Sequence, residues 1–111
     1  MISSEKLVVT PIEGANPNQH VYTLQGPVTL GNLLAIQEAF QSPAPVLVLD
    51  LAGVPYVDSA GIGAIVQAVV SRKKQGRRLV LTAPNETVRK LFRLTQVDAL
   101  LEIYPTLAEA K

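Results

Sequence analysis

The sequence predicts an α/β fold: a mixed sheet of four to five strands with amphipathic helices, in the order β-β-α-β-α-β-α-(β-α). Three observations predict it. Val46-Leu47-Val48-Leu49-Asp50-Leu51 is apolar on both alternating sets apart from Asp50, the pattern of a strand covered on both faces in the centre of a sheet. Ile62, Ile65, Val66, Val69 and Val70 recur at the spacing of one helix face. Strand-like and helix-like segments alternate, so two right-handed β-α-β crossovers place strands in parallel beside an antiparallel edge from an opening hairpin.

Each element has its own signal. Lys6 to Thr10 is β-rich, and Pro11 limits its length. Glu13-Gly14-Ala15-Asn16-Pro17-Asn18 is a turn cluster, and His20 to Gln25 reads as the second strand of the hairpin. Gly26-Pro27 ends it. Thr29 is positioned to cap a helix whose face is Leu30, Leu33, Leu34, Gln37 and Phe40. Ser42-Pro43-Ala44-Pro45 stops that helix before the central strand. The helix from Ser59 runs to about Lys74, with Gly76 as the residue that turns the chain out of it. Arg78 to Thr82 is a short buried strand. Pro84-Asn85-Glu86 opens a third helix with Val88, Leu91, Phe92 and Thr95 on one face and Arg89, Lys90 and Arg93 outward. Leu101 to Tyr104 is the last strand, Pro105 breaks it, and Thr106 caps a short frayed helix to Lys111.

Composition narrows the function classes. The 111 residues suit one domain, 1–111, and at 48% hydrophobic and 17% charged they fill a core. A net charge of +1 gives no general pull toward nucleic acid. The absence of cysteine excludes disulfides, a thiol nucleophile and thiolate metal sites. Met1 to Lys6 lacks a signal-peptide pattern, and the apolar run Ala60 to Val70 is far short of the ~20 residues of a membrane helix. The expectation is a cytoplasmic protein without membrane insertion or cofactor.

The chemistry converges on Val57-Asp58-Ser59-Ala60-Gly61-Ile62-Gly63. Asp58 and Ser59 fall where a helix exposes unpaired N–H groups and the positive end of its dipole. One reading is structural: either residue caps the helix, at about 1 kcal/mol, and the glycines admit close approach. Three features add a second reading. The cap is doubly supplied. Ala60, Gly61 and Gly63 leave Ser59 uncrowded. The loop follows the carboxyl end of the central strand, where α/β sheets carry their sites.

Together with Val46–Leu51, Val54-Pro-Tyr-Val-Asp-Ser-Ala-Gly-Ile-Gly63, Arg77–Leu81 and Val88–Phe92, this stretch resembles a STAS domain, most closely those of the bacterial anti-sigma factor antagonists. The similarity runs from about Lys6 to Tyr104. The resemblance implies a non-enzymatic protein. Its unphosphorylated form would bind an anti-sigma factor with a GHKL-type serine kinase fold and so release a sigma factor. Phosphorylation of Ser59 would end binding, and a PP2C-type phosphatase would reset it. Asp58, Ser59, Ala60, Gly61, Gly63 and Thr29 map onto the partner-binding surface. The chain departs from the family at Gly26-Pro27-Val28-Thr29, where Pro27 and Thr29 stand in place of the usual acids of a Gly-Glu-[Leu/Ile]-Asp sequence. A STAS-type subunit of a stressosome-like or lipid-transport assembly is the alternative.

Other residues read more plainly. His20 alone supports neither a metal site nor a serine–histidine pair. Asp50 reads as a strand-end acceptor of loop N–H groups, Tyr56 as packing that fixes the loop, and Phe92 as core. Arg72, Lys73, Lys74, Arg77 and Arg78 read as a solvated helix end, with an anionic partner surface as the weaker reading. Arg89, Lys90 and Arg93 read as a solvated face that could border the partner footprint. A serine hydrolase would need a Gly-x-Ser-x-Gly elbow, and a P-loop would need a following lysine. Neither is present.

Overall fold

The structure is a computed structural model that describes residues 5–110. Met1 to Ser4, and Lys111 at the end of the expected last helix, lie outside the described residues. One sheet carries five strands in the order β1-β2-β3-β4-β5. They are β1 (Val8–Ile12), β2 (Gln19–Gln25), β3 (Val46–Gly53), β4 (Arg78–Thr82) and β5 (Glu102–Tyr104). The helices are α1 (Leu33–Phe40), α2 (Ser59–Lys74) and α3 (Glu86–Leu94). The β1–β2 hairpin is antiparallel and the other three pairs are parallel. The strand number is thus the upper of the two expected, and there are three helical crossovers where two were expected.

Pro11 does not limit β1. It pairs with Tyr22 inside the strand, because β1 is an edge strand and a missing N–H on its outer side disrupts no ladder. The central strand is covered on both faces, but unequally. Leu47, Leu49 and Leu51 of β3 join Ile36, Ile65, Val69, Val88 and Phe92 in one cluster, so all three helices lie on the same side. Val48 on the other face clusters, among the described residues, with Val21, Val80 and Ala110, with Val46, Tyr104 and Leu107 beside them. That thin cover comes from the chain's end. There the expected helix after Thr106 is a single 3₁₀ turn, Leu107–Glu109. The Thr106 hydroxyl bonds the Glu109 carboxylate rather than a backbone N–H. The buried Gln19 holds this segment, its Nε2 donating to the Ala110 carbonyl at 2.7 Å.

The first helix differs most from expectation. Leu30–Asn32 is a 3₁₀ turn and α1 begins only at Leu33. This re-phases the face: Ile36 and Ala39 are buried, while Leu30 and Leu34 are 71% and 88% exposed. Thr29 makes no side-chain cap.

Arg72 is not part of a solvated helix end. It is buried, its Nη1 and Nη2 donating to the Ser42 and Ala44 carbonyls at 2.7 Å each and its Nε to the Arg78 carbonyl at 3.1 Å. One guanidinium thereby ties the α1–β3 connection to the start of β4. Desolvation lowers its pKa, and the nearby Arg77 lowers it further. Arg72→Met should destabilise by about 2 kcal/mol, since carbonyls lose their donors while loss of a buried charge offsets part of the cost. The check is a lower urea midpoint at unchanged slope. Lys73 and Lys74 are exposed as expected. The α2 end closes as a Schellman motif: Gly76, at φ +72°, donates to the Lys73 carbonyl and Arg77 to that of Arg72.

Arg78 instead pairs with Glu102 across the β4–β5 edge, and the Tyr104 hydroxyl bonds the same carboxylate at 3.0 Å. The Arg78 hydrogen bond, then that of Tyr104, holds the Glu102 carboxyl below its ordinary range, against a desolvation that raises it. A depressed carboxyl adds stability above its unfolded pKa, and that stability fades as pH falls through the lower folded value. The pair is partly exposed, so the effect is small. Glu102→Gln should cost under about 1 kcal/mol at neutral pH and nothing at acid pH, as read from paired denaturation curves.

Candidate functional site

The site lies past the carboxyl end of β3. After Gly53 the chain runs through Val54 to Val57 and docks on the segment between β2 and α1. Val28 N–H donates to the Tyr56 carbonyl at 3.0 Å and Asp58 N–H to the Val28 carbonyl at 3.1 Å. Val28 and Val57 form a parallel bridge and both are buried. This short zipper fixes where α2 begins.

Asp58 is the N-cap of α2, with extended backbone at φ −85° and ψ 178°. Its Oδ1 accepts from the Gly61 N–H at 2.8 Å and its Oδ2 from the Leu30 N–H at 3.0 Å. One carboxylate therefore caps two elements. It reaches, from 28 residues away, the first N–H of the 3₁₀ turn at whose start Thr29 makes no side-chain cap. The Thr29 hydroxyl instead lies 3.4 Å from Asn32 Nδ2, which also donates to the Pro27 carbonyl at 2.9 Å.

Ser59 is the first residue of α2 and is exposed. Among the described residues its hydroxyl has no hydrogen-bond partner, because Asp58 already serves the Gly61 N–H. The N–H groups of Ser59 and Ala60 likewise have no acceptor among the described residues, since the first bond into the helix is Ile62 N–H to the Asp58 carbonyl at 2.9 Å. Free amides and the helix dipole favour an anion on this hydroxyl.

The small residues after Ser59 separate into two kinds. Gly61 is buried, and a Cβ there would stand 2.2 Å from the Val28 carbonyl oxygen and 2.9 Å from Val57 Cγ1. Its bare Cα lets α2 sit on the zipper, so it shapes the surface from beneath. A Cβ on Gly63 would meet nothing within 4 Å, and Gly63 is exposed one turn beyond Ser59. Ala60 is half-buried between them.

The remaining sequence candidates fall outside this constellation or at its rim. Asp50 accepts from the Ala52 N–H at 3.2 Å and from the Thr82 hydroxyl at 3.3 Å, the strand-end role expected. Tyr56 does not pack: its side chain is exposed, and its backbone carbonyl does the fixing. His20 Nδ1 lies 2.6 Å from the Ser42 hydroxyl, and Phe92 is core. Arg89, Lys90 and Arg93 are exposed on α3. Sequence reasoning missed the Asp58–Leu30 bond, which carries no sequence signal because it joins distant segments. It also missed Arg72, which had one: Ile62, Ile65, Val69 and Arg72 share the inward helical spacing.

The fold is a sheet that presents an exposed serine at a helix entrance past the end of its central strand. The STAS domain model matches residues 11–110, and the chain belongs to that family. A Thermotoga maritima protein provisionally named an anti-sigma factor antagonist is 37% identical over 62 residues, 56% of this chain and 55% of its own. The anti-sigma-B factor antagonist of Listeria monocytogenes is 36% identical over 58 residues, 52% of this chain and 51% of its own. The chain spans about half the length of the curated relatives it matches. A crystal structure from Thermotoga maritima, of a protein with the same provisional name, superposes with a TM-score of 0.76 at 26% identity, covering 86% of each chain. Among the described residues, no helix is long and apolar enough to cross a membrane.

Proposed function

We propose that the chain is a phospho-switched anti-sigma factor antagonist. Its unphosphorylated form binds an anti-sigma factor of the GHKL-type serine kinase fold, through Ser59, Ala60, Gly63 and Thr29. Asp58 and Gly61 set the shape of that surface. Phosphorylation of Ser59 ends binding, and a PP2C-type phosphatase restores it. The observation that carries this reading is the division of labour at the α2 entrance. Both Asp58 oxygens are committed to backbone amides, while the neighbouring serine is exposed at the helix start. A serine serving only as a cap would face inward and hold an N–H group.

The chemistry fits a local switch. A phosphate adds about −1.5 to −2 charge, and the free amides at the helix start accommodate it without unfolding. The obstruction falls on the partner. The test is incubation with the GHKL-type kinase encoded near the gene and ATP, followed by site mapping by mass spectrometry. Phosphate on Ser59, absent in Ser59→Ala, is expected; an unmodified Ser59 would overturn the reading.

The alternative of a stressosome-like or lipid-transport subunit is favoured by one feature. Pro27 and Thr29 leave the rim beside Ser59 without acids. A stable complex with a transport component and no response to Ser59→Asp would favour it.

A further inference from the structure

The two segments that present Ser59 and its neighbours are almost devoid of charge. Residues 27–37 and 51–71 form the α1 entry, the site loop and most of α2, and Asp58 is their only charged residue. Its carboxylate is spent on the Leu30 and Gly61 amides. Large apolar groups stand out from the same region. Leu30, whose own N–H bonds Asp58, is 71% exposed, Leu34 one turn later is 88% exposed, and Tyr56 is 46% exposed. Leu33, Ala64 and Gln67 line the groove between α1 and α2, a cleft of about 520 Å³ whose lining also includes Gln37, Gln75 and Arg77. Along α2, Ser59, Gly63 and Gln67 form one exposed row at helical spacing, and Gly63 keeps that row flat. An exposed mid-helix glycine costs about 1 kcal/mol relative to alanine, and here no neighbour within the fold requires it. Single exposed leucines are ordinary; several large apolar side chains exposed on adjoining segments that carry so little charge mark an interface.

We infer that the face formed by Leu30, Leu34, Gly63 and Gln67 around Ser59 docks a partner protein through an equally uncharged, apolar surface. The inference rests on the phosphoswitch reading and specifies its partner: the kinase's docking site is an apolar socket for Leu30 and Leu34, not a basic patch. Partner choice is then made by shape and apolar burial. It also explains why one modification suffices. Water is expelled from such an interface, and a phosphate placed there is a buried dianion with no counter-charge on either side. A second copy of this chain meeting the same face is the competing occupant.

The test uses the purified GHKL-type kinase as probe and measures its affinity for four forms of the protein by calorimetry. Leu34→Ala should weaken binding on the order of tenfold or more, the burial of one leucine side chain. Leu34→Lys should weaken it further. Gly63→Ala should raise thermal stability yet weaken binding. Wild-type affinity should change by less than about threefold from low to high salt, because no exposed ion pairs are there to be screened. Leu34→Lys, 88% exposed in the free chain, leaves the fold intact by circular dichroism. Wild-type affinity in Leu34→Lys, or binding that falls steeply with salt, would overturn the apolar face while Ser59 phosphorylation leaves the switch standing. A wild-type dimer that Leu34→Lys dissociates, with kinase binding unchanged, would overturn it in favour of the second copy. Failure of Ser59 phosphorylation would remove the reading beneath it, and the inference with it.

Discussion

Ser59→Asp is expected to weaken binding to the kinase partner by at least about 100-fold while leaving the domain as stable as wild type or slightly more so. The two halves of this expectation have opposite signs for one reason. At the first position of α2, a carboxylate faces the positive end of the helix dipole, a favourable placement worth about 0.3–1 kcal/mol. The side chain is exposed, so the free protein pays no desolvation. In the complex the same charge must leave water against an uncharged surface, at several kcal/mol. A cost of about 2.7 kcal/mol already corresponds to 100-fold. Ser59→Ala should be as stable as wild type, since the serine hydroxyl makes no intramolecular hydrogen bond among the described residues. Calorimetric titration beside thermal melts reads both halves. A Ser59→Asp protein that binds normally would contradict the switch, and one that melts far lower would show that Ser59 is structural.

Gly61→Ala is expected to destabilise the domain by about 3 kcal/mol and to disturb the site as well. Alanine would favour the helix intrinsically by about 1 kcal/mol, and that gain is overwhelmed. The new Cβ would lie 2.2 Å from the Val28 carbonyl oxygen, a backbone atom that also accepts the Asp58 N–H at 3.1 Å. Backbone cannot swing aside as a side chain can, so the start of α2 must lift from the zipper. The Asp58 carboxylate then loses its reach to Leu30 N–H. Urea denaturation should show the lowered midpoint. Hydrogen exchange at Leu30 and Gly61 should speed up more than at the β3 amides. Gly63→Ala, two residues on, should do the reverse and stabilise. This contrast within one helix separates close packing from mere smallness.

Much of the fold was legible because its signals are local and periodic. The apolar β3 run, the inward spacing of α2 and the opening of α3 at Pro84-Asn85-Glu86, where Asn85 Oδ1 accepts from Val88 N–H at 2.8 Å, all reflect residues near one another in sequence. What was not legible depended on distant partners. The face of α1 was mis-phased because a 3₁₀ turn precedes the helix and rotates every later side chain. That turn is held by Asp58, from across the fold. The second face of the sheet was expected to be covered, but nothing local in the sequence says by what: the segment around Ala110 covers it, a 3₁₀ turn tied down by Gln19. At the site, the sequence marked Asp58 and Ser59 as a doubly supplied cap. The structure separates them: Asp58 caps two elements at once, and Ser59 is left facing solvent.

The most direct measurement compares the affinity of the unmodified and Ser59-phosphorylated protein for the kinase partner, with amide NMR spectra of both free forms. The account predicts a loss of at least about 100-fold on phosphorylation. Spectral changes should be confined to residues near 27–34 and 56–63, with the β3 and β4 amides unmoved. Equal affinity of the two forms, or shifts spread through the whole sheet, would contradict a local switch at the entrance of α2.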